Sequence, residues 1–262
     1  MKVLIKLGGT LVDNPESLAG LSRELAALPG RGVQAVVVHG GGKQMTQYLK
    51  ERGVESKFVN GLRVTSPDVI DAVLKVFTGS VNKQLVSSLV AAGAAAVGIS
   101  GIDAALAEAR QMDPALGAVG EIVRTNPAVL DLLAQGGFLP VVACVAGDRQ
   151  GNVYNVNADQ MAVACATGYG AERLLFLTDV DGVRDGSGAT LSVLTAGGAR
   201  GLIESGAATG GMQAKLNSAR AALAGGVKEV VIAPGAAAGI IERLLAGEAV
   251  GTRMMAEGEV GG

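Results

Sequence analysis

Ala35 to Gln44, AVVVHGGGKQ, joins an apolar run to three glycines and then to a polar, helix-like segment. That junction constrains the fold more than any other stretch. The run Ala35 to Val38 has the length and β-branched content of a buried strand. Gly40, Gly41 and Gly42 let the backbone approach a ligand closely and reach positive φ. The unpaired N–H groups opening the next helix point outward with the positive end of its dipole, so a phosphate or carboxylate is the natural guest. Glycine turns after buried strands also serve simply to reverse the chain, and this stretch alone does not separate the two uses.

Two familiar phosphate signatures fail here. A P-loop needs four residues between its first glycine and Gly-Lys-Ser/Thr, whereas Lys43 directly follows Gly42 and precedes Gln44. The dinucleotide fingerprint would need a glycine where Met45 stands.

The chain has 262 residues, enough for one large core or two lobes sharing a sheet. Apolar residues make up 49% and aromatics only 3%, so the core must be built from Val, Leu, Ile and Ala, which suits strands covered on both faces by helices. Cys144 and Cys165 are not in a C-x-x-C pair and sit in apolar surroundings, as reduced core thiols do. No apolar run approaches the ~20 residues of a membrane span, and the chain opens on a strand pattern rather than a signal peptide, so a cytoplasmic protein is expected. A net charge of −2 gives no basic field for nucleic acid.

The same junction type recurs along the chain. Lys2 to Leu7 reads as a strand followed by Gly8, Gly9 and Thr10, which places Lys6 at a strand end. Glu16 to Leu28 has helical spacing before the strand Val33 to His39, making a βαβ unit and hence a parallel sheet. In such sheets ligands gather at the carboxyl ends of the strands. His39 reads as a strand-end residue that bonds locally, because no Ser, Cys or Asp partner is indicated. Arg63, in FVNGLRVT, offers a guanidinium able to grip a carboxylate with two parallel hydrogen bonds.

Two helices are expected near Val69 to Phe77 and Val81 to Ala92. A strand follows at Ala94 to Ser100, then short antiparallel ribbons from Ala105 to Arg124 on the lid side of a small-molecule pocket, and a hairpin over Gly147 to Asn155. In Asn155 to Met161, NVNADQM, Asn157 reads as a helix cap and Asp159 as a first-turn acid, a structural use that explains both. The strand Ala171 to Leu177 ends in Thr178, Asp179, Val180 and Asp181. Thr209 to Met212 opens another helix with Lys215 about one turn in, again setting a cation near a helix N-terminus.

KLGG at Lys6 to Gly9, HGGG at His39 to Gly42, NGLRVT at Asn60 to Thr65, VNK at Val81 to Lys83, GEI at Gly120 to Ile122, NVNAD at Asn155 to Asp159, LTDVDGV at Leu177 to Val183 and GGMQAK at Gly210 to Lys215 occur in this order over nearly the whole chain. As an ordered set they resemble the amino acid kinase family, and within it the members that phosphorylate N-acetyl-L-glutamate. The resemblance implies an α/β fold, a three-layer αβα sandwich around a mainly parallel central sheet. It divides the chain into an N-terminal lobe, 1–170, for the amino acid and dimerisation, and a C-terminal lobe, 171–262, for ATP, sharing one continuous sheet.

The implied reaction moves the γ-phosphoryl of ATP to a side-chain carboxylate, the second step of arginine biosynthesis. Magnesium would ride on the nucleotide and no protein metal site is expected. By match, Lys6, Lys215, Asp159, Gly9 and Gly42 carry the phosphoryl transfer, Asp159 holding the two lysines. Gly41, Gly42, Arg63 and Asn155 bind the acetylglutamate, and Thr178, Asp179, Met212 and Lys215 the nucleotide. The resemblance also implies a homodimer insensitive to arginine, since arginine-inhibited members carry a further N-terminal helix. Two other readings stay open: the same reaction on acetylaminoadipate, one methylene longer, and a non-catalytic amino-acid or nucleotide sensor.

Overall fold

The computed structural model describes residues 1–257. Residues 258–262, which the expected C-terminal lobe includes, lie outside the described residues. In chain order the first strands are β1 (Lys2–Leu7), β2 (Gln34–His39), β3 (Phe58–Val59), β4 (Leu62–Arg63), β5 (Ala96–Ser100), β6 (Ala107–Gln111) and β7 (Gly120–Thr125). They are followed by β8 (Leu139–Ala143), β9 (Val145–Gly147), β10 (Val153–Asn155), β11 (Arg173–Thr178), β12 (Val193–Thr195), β13 (Glu229–Pro234) and β14 (Thr252–Met255). The helices are α1 (Gly9–Asp13), α2 (Pro15–Ala27), α3 (Gly42–Glu51), α4 (Pro67–Val73), α5 (Asn82–Ala91), α6 (Ala128–Gln135), α7 (Ala158–Tyr169), α8 (Ala196–Glu204), α9 (Gly210–Ala224) and α10 (Ile240–Leu245).

Eight strands form the main sheet in the order β12-β14-β13-β11-β1-β2-β8-β5. All neighbours run parallel except β13 and β14. Its central strands show why the sequence folds this way. Leu4 and Ile5 in β1, Val36 to Val38 in β2 and Leu174 to Leu177 in β11 are all 0% exposed, so successive residues are buried on both faces. Only a sheet covered by helices on each side buries alternating and intervening positions alike, and the expected three-layer α/β sandwich is the result.

Two smaller sheets border one end of this frame. The strands β10-β9-β6-β7 make a four-stranded sheet, and β3 and β4 form a ribbon. The expected ribbons and the Gly147 to Asn155 hairpin fall here, with β6 antiparallel to β7 and β10 to β9.

The two expected helices near Val69 to Phe77 and Val81 to Ala92 are one continuous helical run. Between α4 and α5, Leu74–Val81 is a π-helix. Thr78, Gly79 and Ser80 read locally as a break, yet the chain stays helical through them, with Thr78 Oγ1 donating to the Leu74 carbonyl at 2.6 Å. The wider turn buries Val76, Phe77 and Val81 together. That packing fixes a neighbour: a Cβ on Gly41 would lie 2.8 Å from Phe77 Cδ1, so only glycine fits beneath the β2–α3 turn.

Candidate active site

The parallel register gathers the site. Lys6 pairs with Val38 and Phe176, and Leu7 with His39 and Leu177. The residues that follow, Gly8, Gly40 and Thr178, therefore stand side by side at the carboxyl edge of the sheet, Thr178 as the last residue of β11, where parallel sheets bind ligands. Gly8 N donates to the Leu177 carbonyl at 2.8 Å, tying the first glycine turn to the end of β11. A Cβ on Gly40 would lie 3.4 Å from Ala158 Cβ, so the β2–α3 turn abuts the start of α7.

Asp159 stands at the centre of this edge. Lys6 Nζ lies 2.7 Å from its Oδ1 and Lys215 Nζ 3.0 Å from its Oδ2, all three side chains being nearly buried. Lys215 donates a true hydrogen bond. Lys6 pairs with the other carboxylate oxygen, and an ammonium has three N–H groups, so Lys6 retains donors for a further acceptor. Lys215 also sits 5.1 Å from the centroid of the Phe176 ring.

Burial alone would raise the Asp159 carboxyl, but the ammonium groups of Lys6 and Lys215 outweigh it and hold the group below the ordinary carboxylate range. Burial brings Lys215 below the ordinary lysine value, opposed by the Asp159 carboxylate and reinforced by Lys6. Two cations share one counter-charge, and the trio carries a net positive charge in a sheltered place.

The helices add to that field. Among the described residues no side chain caps the start of α3 or α9, and neither helix has an acid in its first turn, so their leading N–H groups suit an anion. α7 differs: Asn157 Oδ1 accepts from the N–H groups of Asp159 and Gln160. The cap reading of Asn157 is correct, and it also orients the residue that holds both lysines.

A cleft of about 1300 Å³ opens here, lined by Asp159, Thr178, Asp179, Met212 and Lys215, with Asn60 to Leu62 and Glu121 across from them. Thr178 Oγ1 donates to Asp179 Oδ1 at 3.1 Å. Gly9 and Gly42 open α1 and α3 at the sheet edge. Arg63, 8% exposed, donates to Ser56 Oγ, to the Gly42 carbonyl at 3.1 Å and to Thr46 Oγ1 at 2.7 Å, so the guanidinium is braced against the β2–α3 turn. Asn155 donates to Thr65 Oγ1 at 3.1 Å, and Thr65 in turn donates to the Arg63 carbonyl at 2.9 Å. Arg63, Asn155, Gly41 and Gly42 are thus one neighbourhood; Lys6, Asp159 and Lys215 are the other, of which Asp159 and Lys215 line the cleft.

Sequence reasoning missed two connectors. Thr65 is fully buried and joins Asn155 to the Arg63 segment. Asn82, 1% exposed, bonds the His39 ring from the start of α5. Both lie inside motifs singled out in the sequence, but their partners are distant in the chain. His39 bonds locally as expected, with Nδ1 2.7 Å from the Gly40 carbonyl. Burial lowers it to about 4 against the raising effect of that carbonyl, so it is neutral near pH 7.

The amino acid kinase family profile matches residues 1–234, and this chain belongs to that family. Its sequence is 64% identical over 255 residues to an acetylglutamate kinase of Solibacter usitatus, spanning 97% of this chain and 99% of the relative. It is 43% identical to an acetylglutamate kinase of Acidobacterium capsulatum, spanning 98% of this chain and 100% of that one. Among solved structures it resembles N-acetylglutamate synthase from Neisseria gonorrhoeae complexed with coenzyme A and N-acetyl-glutamate, with a TM-score of 0.86 and 25% identity, covering 97% of this chain and 59% of that one.

Proposed function

We propose that this chain transfers the γ-phosphoryl of ATP to the side-chain carboxylate of N-acetyl-L-glutamate, releasing ADP and an acyl phosphate, the second step of arginine biosynthesis. The observation that carries the reading is the buried Lys6–Asp159–Lys215 bridge at the carboxyl edge of the sheet. Full-length similarity to acetylglutamate kinases supports the choice of acceptor, as does the N-acetyl-glutamate held by the gonococcal synthase.

The chemistry asks for this kind of site. A carboxylate is ionised at neutral pH, with a reference pKa of ~4.3, so no general base is needed and the neutral, buried His39 is no obstacle. The difficulty is bringing two anions together while the P–O bond to ADP breaks and the bond to the carboxylate oxygen forms in line, which is a problem of positioning and charge.

In this reading Lys6 meets the phosphoryl from the acceptor side and Lys215 from the nucleotide side, Asp159 fixing the position and charge of both. Amides at Gly9 and Gly42 bind the phosphoryl oxygens. Arg63, Asn155 and Gly41 hold the acetylglutamate, while Thr178, Asp179 and Met212 border the nucleotide. The uncapped start of α9 and Lys215 suit the phosphates of ATP. Magnesium belongs on those phosphates in this proposal, because both Asp159 oxygens face ammonium groups. Residues 1–170 serve the amino acid and 171–262 the nucleotide.

Hydroxylamine trapping with MgATP tests the reaction. Acetylglutamate should give acyl phosphate at a kcat/KM at least tenfold above acetylaminoadipate, within the ~1–3 kcal/mol that a methylene is worth. The reverse preference would move the enzyme to the longer acceptor, and no product from either would restore the sensor reading.

We place the enzyme in the cytoplasm as a homodimer. β5 is an edge of the main sheet with partly exposed residues, and Val90 on the adjacent α5 is 53% exposed, a combination that invites pairing. Sedimentation equilibrium should give twice the 26.1 kDa chain mass; a monomer at micromolar concentration would exclude the dimer.

A further inference from the structure

The β2–α3 turn is held from beneath by a hydrogen-bond chain outside the reaction described above. His39 is 0% exposed, its Nδ1 lies 2.7 Å from the Gly40 carbonyl, and its Nε2 lies 3.0 Å from Asn82 Nδ2. Asn82 Nδ2 also lies 3.0 Å from the Val141 carbonyl, while Asn82 Oδ1 lies 3.2 Å from Lys83 Nζ. A carbonyl can only accept and an ammonium can only donate, so these contacts set the amide orientation of Asn82. Its NH₂ then faces Nε2, which must accept, and the single ring proton sits on Nδ1 and is donated to the Gly40 carbonyl.

That donation has a directional consequence. The peptide between Gly40 and Gly41 is trans, so its C=O and N–H point opposite ways. Holding the Gly40 oxygen on the imidazole turns the Gly41 N–H away from the core. Among the described residues no backbone carbonyl accepts from that N–H, and Gly41 is pinned from the side by Phe77 and Val81.

We propose that His39, fixed in its Nδ1–H form by Asn82, is a positioning residue that aims the Gly41 amide at the anion bound on the β2–α3 turn. The proposal rests on the phosphotransfer reading for what that anion is, but the hydrogen-bond chain can be read in the ligand-free protein. His39 is the only histidine in the sequence, so long-range ¹H–¹⁵N correlations report one ring without ambiguity. The expected result at neutral pH is a neutral ring protonated on Nδ1; a proton on Nε2 overturns the proposal.

Asn82→Leu keeps the branching at Cγ and removes the bond to Nε2. Together with His39→Phe it should shift the Gly41 amide resonance and lower kcat/KM for acetylglutamate about thirtyfold, part of the loss expected for a whole preorganised donor. KM for MgATP should stay within about twofold, because the nucleotide side is untouched. Full activity in His39→Phe, or an activity loss in Asn82→Leu with the tautomer and the Gly41 resonance unchanged, would refute the positioning role. If wild-type protein forms no acyl phosphate, the substrate assignment fails, and the tautomer and the Gly41 shift still decide the role of His39.

Discussion

Lys6→Ala should lower kcat for acyl-phosphate formation by roughly two to three orders of magnitude, the loss typical of removing one preorganised donor at a developing charge. Lys6 projects from the end of β1 and pairs with Asp159 through one contact, so two of its three N–H groups are available to the phosphoryl group. KM for MgATP should change little, because the variant retains the Lys215–Asp159 hydrogen bond on the other side of the site. Lys215→Ala should lose as much in kcat and also raise KM for MgATP, since in the proposed reaction this α9 lysine is the cation for the nucleotide phosphates. Lys6→Arg should not restore the rate: a planar fork cannot take the place of a compact ammonium between a carboxylate and a phosphoryl group. Exposed Lys50 supplies the control, and Lys50→Ala should stay within about twofold of wild type. Steady-state kinetics with both substrates varied separates these outcomes, and a tenfold effect or less in Lys6→Ala would remove Lys6 from the transfer step.

How much of this was legible in the sequence depended on distance along the chain. β1, β2 and β11 announce themselves because each carries a short apolar run close to a turn, Val3 to Ile5, Ala35 to Val38 and Leu174 to Leu177, and the sheet buries both of its faces there. Gly41 was legible as a glycine that something must require, but Phe77, the reason, comes from a π-helix whose sequence looks like two helices with a break at Thr78 to Ser80. β12 spans only Val193–Thr195 and is too short to show a period. Asp159 illustrates the limit best. Locally it is a first-turn acid beneath an Asn157 cap, an arrangement that helices form without any function. Its importance lies in Lys6 and Lys215, which reach it from β1 and α9; no local pattern links three such residues, and only the ordered family motifs pointed to Asp159. Thr65 and Asn82 lie inside such motifs too, but the motifs implied no role for them, and their partners are remote: Thr65 meets Asn155 across 90 positions and Asn82 meets His39 across 43.

Asp159→Asn should give the second large effect, visible in opposite pH dependences of activity and stability. The amide keeps the shape but removes the one negative charge between two nearly buried ammonium groups. Lys215 is already brought below the ordinary lysine value by burial, with Asp159 as the first influence opposing that, so the variant should drop it further. The proposed transfer needs Lys215 charged, and the fraction charged grows as pH falls. The variant's kcat should therefore be far below wild type at pH 9 and recover as the pH is lowered toward 6. Stability should run the other way. A lysine whose folded value lies below its unfolded value binds the proton more readily in the unfolded chain, so raising the pH through the folded value stabilises the fold until the unfolded value is reached. At neutral pH the variant should be destabilised by roughly 3 kcal/mol, the scale of stranding a buried charge without its partner, and part of that loss should be regained at pH 9. In wild type the carboxyl is held below its ordinary value by the lysines against the effect of burial, so its stabilising contribution is complete above the ordinary carboxylate range and is lost only as the pH falls through the folded value. Urea titrations and kcat measured at the same series of pH values read both slopes on one protein. Parallel slopes, or a variant as stable as wild type at pH 7, would show that Asp159 does not hold Lys215 in its charged form.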